Sequence, residues 1–236
     1  MKILAIETST EYCSVALWQD GAITSRCEKV GQKHSEILMA MLDGVLADAG
    51  LQLAQIDGIA FGAGPGSFTG VRIACGVAQG LALGANLPVI GICTLQALAQ
   101  GAGQSRVIAA LDARMAEVYF AVYEKRDGVW WTVCEPCLRL PQDTPAVEGI
   151  GWLGAGSGFA AQGEVLQARY NGQLTSTDAS CVPQASAIAE LAAPMFAAGK
   201  GLDAALAMPL YLRDKVALKT SERHAVEKQP NERLPL

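Results

Sequence analysis

Apolar residues run in short blocks or alternate with polar ones through most of the first hundred positions. Residues 2–7, Lys2-Ile3-Leu4-Ala5-Ile6-Glu7, form an apolar block closed by an acid. Strand-like segments follow at 13–18 and 22–28, separated by Gln19-Asp20-Gly21. Asp-Gly between two such segments signals a hairpin, because both residues tolerate the positive φ of a tight turn. From 35 to 49 the period becomes helical, with Ile37, Leu38, Met41, Leu42, Val45 and Leu46 on one stripe. Ser35 is placed to cap this helix and Gly50 to stop it. A buried strand at 56–61, a glycine loop, a helix at 71–83 rich in small residues, a strand at 87–92 and a helix at 95–100 behind Thr94 complete the first half.

The second half opens in the same way. Arg106–Asp112 is an apolar strand ending in an acid, and the turn 113–116 leads to a strand at 117–123. Arg126-Asp127-Gly128 repeats the hairpin signal before a strand at 129–134. Ile150-Gly151-Trp152-Leu153 then runs into Gly154-Ala155-Gly156-Ser157-Gly158, echoing the earlier Gly-Ala-Gly, and a helix at 186–198 closes the pattern. Recurrence of acid-ended strands and Asp-Gly turns at a near-constant separation predicts an α/β chain of two β-β-β-α-β-α units with a cleft between them. The Gly- and Gln-rich stretch at 100–105 places the boundary, giving units at 1–103 and 104–212. A basic tail, 213–236, reads as unstructured.

Composition narrows the function. Half of the 236 residues are hydrophobic and 17% are charged, enough apolar material for full cores. No apolar run approaches bilayer length, and an acid at position 7 argues against a signal peptide. Seven cysteines, an odd number, fit reduced thiols and a cytoplasmic location. At a net charge of −5, the chain lacks the basic stripe that displaces counterions from nucleic acid. Lys215, Lys219, Arg223, Lys228 and Arg233 in the tail read as solvated.

The loop Gly62-Ala63-Gly64-Pro65-Gly66-Ser67-Phe68-Thr69-Gly70-Val71-Arg72 carries the most chemistry. Unpaired N–H groups between a strand and a helix start suit either an anion or another protein. Phosphoryl transfer needs an acid to place Mg²⁺ and a small-residue turn under the phosphates. Candidate contacts of that kind are Glu7, Thr8, Ser9, Gly64, Gly66, Ser67 and Asp112. However, Glu7-Thr8-Ser9-Thr10 contains no glycine, and Asp112-Ala113-Arg114-Met115 carries two bulky side chains where backbone should approach phosphate. Both read as degenerate phosphate loops, and no catalytic residue is assigned.

Gly76, Gly80 and Gly84 recur every four residues and so share one helix face. Each costs about 1 kcal/mol relative to alanine, which a close backbone approach would offset. The approaching backbone is either the protein's own sheet or a partner. On the partner reading, this helix and the 35–49 helix form an interface through Phe68, Val71, Arg72, Cys75, Gly76, Gln79, Gly80 and Leu83. Phe68 and Val71 would be its apolar anchors, with Arg72 as a rim or phosphate-facing charge.

Other motifs read as structural. The chain has two histidines, His34 before the first helix and His224 in the tail, so no metal site is expected. His34 reads as a capping or surface residue. Cys134-Glu135-Pro136-Cys137 lacks the second pair a zinc site needs, and it sits at a strand end. Ser67 and Thr69 have no oriented base for peptidase chemistry and read as helix caps.

A duplicated unit with acid-ended first strands resembles the actin/sugar-kinase/Hsp70 superfamily, with its ribonuclease H-like fold. Within it, Ile3-Leu4-Ala5-Ile6-Glu7-Thr8-Ser9-Thr10, the eleven-residue loop, Asp112-Ala113-Arg114 and Pro209-Leu210-Tyr211-Leu212-Arg213 resemble the TsaB (YeaZ) family, up to about Leu218. Glu7 departs from the aspartate usual there. The resemblance implies a non-catalytic subunit pairing with the catalytic TsaD and the ATPase TsaE to install threonylcarbamoyl on adenosine 37 of tRNA. It further implies a homodimer when alone, tRNA held through partners, no membrane, no tightly bound cofactor, and ATP or ADP at the interface with TsaD. A stand-alone ATPase or kinase and a peptidase acting on a partner remain the alternatives.

Overall fold

The structure, a computed structural model, describes residues 1–213; the tail lysines and arginines beyond that point, and His224, lie outside the described residues. Strands β1 (Lys2–Glu7), β2 (Tyr12–Gln19) and β3 (Ala22–Lys29) form a meander. Helix α1 (His34–Asp48) then leads to β4 (Gly58–Gly64), α2 (Phe68–Ala85), β5 (Val89–Cys93) and α3 (Thr94–Gly101). The second half runs β6 (Arg106–Asp112), β7 (Val118–Arg126), β8 (Val129–Arg139), β9 (Trp152–Ala155), α4 (Gly158–Ala161), α5 (Gly163–Arg169), β10 (Leu174–Asp178) and α6 (Ala185–Ala197).

The duplication is present in the sheets. One has the order β3-β2-β1-β4-β5 and the other, read from its far edge, β8-β7-β6-β9-β10. In each, the first strand pairs antiparallel with the second and parallel with the fourth. The hairpin turns form as expected, with Asp20, Gly21, Asp127 and Gly128 all at positive φ.

The second unit departs from expectation between its third and fourth strands, where the first unit has α1. Only a 3-10 turn, Pro141–Asp143, occupies that stretch. Pro141 and Pro145 interrupt any helical ladder there, and Gly149 and Gly151 sit at positive φ. Strand β8 also continues past the expected end at Cys134, because an edge strand tolerates Pro136 at a bulge. Cys134 and Cys137 therefore lie inside β8, half-buried against Phe120 and Tyr170.

Each sheet is covered on both faces, and the halves exchange one helix. The first sheet packs α1 and α2 on one side, with Leu38, Leu42, Val45, Ala74 and Ala78 against Leu4, Ile6, Val15 and Phe61. Its other side takes α6, whose Ala185, Ile188, Ala189 and Ala192 meet Ile3, Ala5, Ala60 and Ile90. Helix α3 instead packs on the second sheet, through Leu95, Leu98 and Ala99 against Val107, Ala109 and Tyr123. A fully buried aliphatic side chain contributes about 1.5–3 kcal/mol, so this exchange ties the units together. The stretch 100–105 separates the two sheets but not their helices.

Helix starts differ in detail from expectation. The first turn of α1 begins at His34, without a side-chain cap from Ser35. Thr94 is the first residue of α3 rather than its cap, and its hydroxyl accepts from the Gly64 N–H at 3.1 Å. His34 is buried, not at the surface, and its Nε2 lies 3.1 Å from the Tyr12 carbonyl.

Candidate docking face and phosphate loops

Strand β4 is buried along its whole length and delivers the glycine loop to the start of α2. Ser67 caps that helix, its hydroxyl accepting from the Gly70 N–H at 3.4 Å. The loop lies directly on the turn that follows β1. The Ser67 N–H donates to the Ser9 carbonyl at 2.7 Å, and the Thr8 hydroxyl donates to the Gly70 carbonyl at 2.7 Å. A Cβ on Gly66 would come within 2.6 Å of the Ser9 carbonyl oxygen, one on Gly70 would overlap the Thr8 carbonyl, and one on Gly62 would overlap the Glu7 carboxylate. Gly66 and Gly70 let two backbone segments of the same chain touch, Gly62 leaves room for the Glu7 carboxylate, and the Gly64, Ser67 and Gly70 N–H groups are bonded within the chain.

Glu7, Thr8 and Ser9 are almost fully buried at 1%, 0% and 2% exposure. The Ser9 N–H donates to Glu7 Oε1, while Glu7 Oε2 and Ser9 Oγ have no partner. Burial pushes the Glu7 carboxyl up to about 6, against the opposing effect of hydrogen bonds from Ser9 and Thr8.

Asp112 ends β6 at the matching position, but its surroundings differ. Its Oδ1 accepts from the Arg114 N–H at 2.9 Å, and its Oδ2 pairs with the Arg114 guanidinium at 3.1 Å. Arg114, Met115 and Ala116 all have positive φ, near 60°. That conformation is costly for each non-glycine residue, so the turn is held by its contacts.

On α2, Val71 and Cys75 are not partner-facing as expected. They are 2% and 4% exposed, with Cys75 against the Ala207 carbonyl, because their side of the helix is the one that covers the sheet. Gln79 is half-buried and donates to the carbonyls of Ala204 and Ala207 at 3.2 and 3.0 Å. Gly76, Gly80 and Leu83 do face outward, and a Cβ built on Gly76, Gly80 or Gly84 meets nothing within 4 Å. The glycine stripe thus does not pack on the protein's own sheet. Beside it, α1 exposes Met39, Ala40 and Ala47, and Phe68 is 52% exposed at the start of α2. The Arg72 guanidinium faces no open phosphate site: it lies 3.2 Å from the Phe68 ring centroid and 4.7 Å from that of Tyr211. By length and composition α2 meets the measure for crossing a bilayer, but core helices pass the same measure and Ala74, Ala78 and Ala82 are buried on the sheet.

Among the described residues, no three His, Cys, Asp or Glu side chains gather as a metal site. A family model described as "TsaD: tRNA N6-adenosine threonylcarbamoyltransferase" matches residues 26–228. The tRNA threonylcarbamoyladenosine biosynthesis protein TsaB of Escherichia coli is 41% identical over 93% of this chain and 97% of its own length. The chain belongs to the TsaB family. The Haemophilus influenzae TsaB is 39% identical, over 93% of this chain and 96% of its own. A Pseudomonas aeruginosa structure described as YeaZ superposes with a TM-score of 0.83 at 39% identity, over 89% of this chain and 99% of that one. This TsaB-family chain accordingly has the two-domain actin-like fold.

Sequence reasoning missed the segment after α6. Leu206, Met208 and Tyr211 are exposed along it, and Arg213 is held by Glu117 rather than free at the start of a tail. The Pro209-Leu210-Tyr211-Leu212-Arg213 motif was the available signal, since its apolar residues suit docking more than solvation.

Proposed function

We propose that this chain is a non-catalytic subunit of the machinery that makes threonylcarbamoyladenosine in tRNA, and that it acts by binding and supporting TsaD together with TsaE in the cytoplasm. One observation carries the reading: the Gly76-Gly80-Gly84 face of α2 is open and unoccupied by any segment of the described chain. Helix-interior glycines are unfavourable unless another backbone comes close, and a facing helix of TsaD is the partner this reading assigns. The same face accounts for a homodimer when TsaD is absent. The Gly64, Ser67 and Gly70 N–H groups, bonded within the chain, support the non-catalytic part, since they are withheld from a transferring phosphoryl group. Nucleotide, ATP or ADP, is then bound at the junction with TsaD, and tRNA is gripped by the partners, as the net charge of −5 favours.

The test is mass spectrometry of tRNA nucleosides from cells depleted of their own TsaB. The wild-type chain restores threonylcarbamoyladenosine, and a Gly80→Leu chain present at equal level does not. Full restoration by Gly80→Leu, or none by the wild type, contradicts the reading.

A further inference from the structure

The end of the described chain crosses from one lobe to the other. Residue 202 bridges β5 through two backbone hydrogen bonds to Val89, both 2.9 Å. The chain then follows α2, where Gln79 holds the carbonyls of Ala204 and Ala207. At Leu210 it reaches the glycine loop: the Leu210 N–H donates to the Ala63 carbonyl at 2.7 Å, and the Leu210 carbonyl would lie 2.9 Å from a Cβ on Gly64. Tyr211 stacks over Arg72 and lies 6.3 Å from the Phe68 ring. Two residues later the chain is in the other lobe. The Arg213 guanidinium donates to the Ala113 carbonyl at 2.9 Å, pairs with Glu117 at 2.8 Å and touches the Met115 sulfur at 3.4 Å.

We infer that residues 209–213 are a built-in strap, which crosses between the two lobes and roofs the carboxyl ends of β4 and β6. Three features support this. Its two anchors sit on different sheets, one at the end of β4 and one at the end of β6. Strand ends of this kind are where open α/β sheets take their ligands, so the strap lies over the place a ligand would enter. Finally, the left-handed turn at Arg114, Met115 and Ala116 is a costly conformation, and Arg213 clamps it from both sides through Ala113 and Glu117. The arginine fork suits this double role, because one guanidinium can donate to a carbonyl and a carboxylate at once. All of these contacts lie within one chain, so the inference does not depend on the docking reading.

Hydrogen–deuterium exchange on the full chain tests it, with Arg213→Ala and Glu117→Gln as variants. Each breaks the clamp from a different lobe, and Glu117→Gln leaves the strap sequence intact should Arg213→Ala fold poorly. Expected is faster exchange, by about tenfold or more, at 209–213 and at 113–117 together, with β1, β2 and β7 protected as in the wild type. Exchange that speeds up only in the segment carrying the substitution, with the opposite anchor unchanged, would overturn the strap.

Discussion

The two lobes share one strand order but have been put to different uses, and their acid-ended first strands show it best. In the first lobe Glu7 is enclosed and its turn is pressed against the glycine loop. In the second lobe Asp112 closes a turn of left-handed residues with exposed side chains at Arg114 and Met115. The first lobe also keeps α1 and the bare glycine face of α2, whereas the second has only a 3-10 turn where α1 would be. A duplicated scaffold preserves its sheets because cores and registers depend on them. Its loops and outer helices are free to diverge, and here the first lobe has backbone contact at its turn and an open helix face.

Single substitutions sharpen this comparison. The largest effect is expected at Gly70, where a methyl group would collide with the Thr8 carbonyl, which is backbone and cannot turn aside. Gly70→Ala should lower stability by about 3 kcal/mol or more in urea unfolding. Next is Glu7→Gln. The folded-state pKa of Glu7 is raised to about 6 from 4.5, so its stabilising contribution is complete below pH 4.5 and is lost as pH rises through 6. The amide carries no charge to desolvate and can donate to Ser9 Oγ. The variant should gain about 2 kcal/mol at pH 7.5 and lose its advantage near pH 4.5. A wild-type stability profile that does not decline, relative to Glu7→Gln, between pH 4.5 and 7 would contradict the burial argument.

On the open face the sign reverses. Gly80→Ala should raise thermal stability by up to about 1 kcal/mol, since its methyl group meets nothing and the helix gains propensity. The smallest change is expected at Asp112→Asn, within about 0.5 kcal/mol, because Arg114, its ion-pair partner, is largely exposed. A loss of several kcal/mol there would mean that the second turn is as integral to the fold as the first.

Much of this was legible in the residues. Asp20-Gly21 and Asp127-Gly128 announced their hairpins, and the acid-ended strands announced the repeat. The exchange of α3 and α6 was not legible, because periodicity marks which helix face is apolar but not which sheet it meets. Strand β10, Leu174-Thr175-Ser176-Thr177-Asp178, is mostly polar and exposed, so it lacks the alternation that betrays a half-buried strand. Val71 and Cys75 were placed on the wrong side of α2, since the glycine period located the open face while their own apolar character pointed inward. Arg213 was invisible as a contact because Glu117 and Ala113 are far away in sequence.

The central claim is that the bare face of α2 is for docking, and light scattering coupled to size exclusion tests it most directly. Purified wild-type chain should elute as a dimer alone and as a complex when mixed with TsaD, while Gly76→Leu and Gly80→Leu elute as folded monomers in both cases. Variants that still form the dimer and still bind TsaD would contradict it.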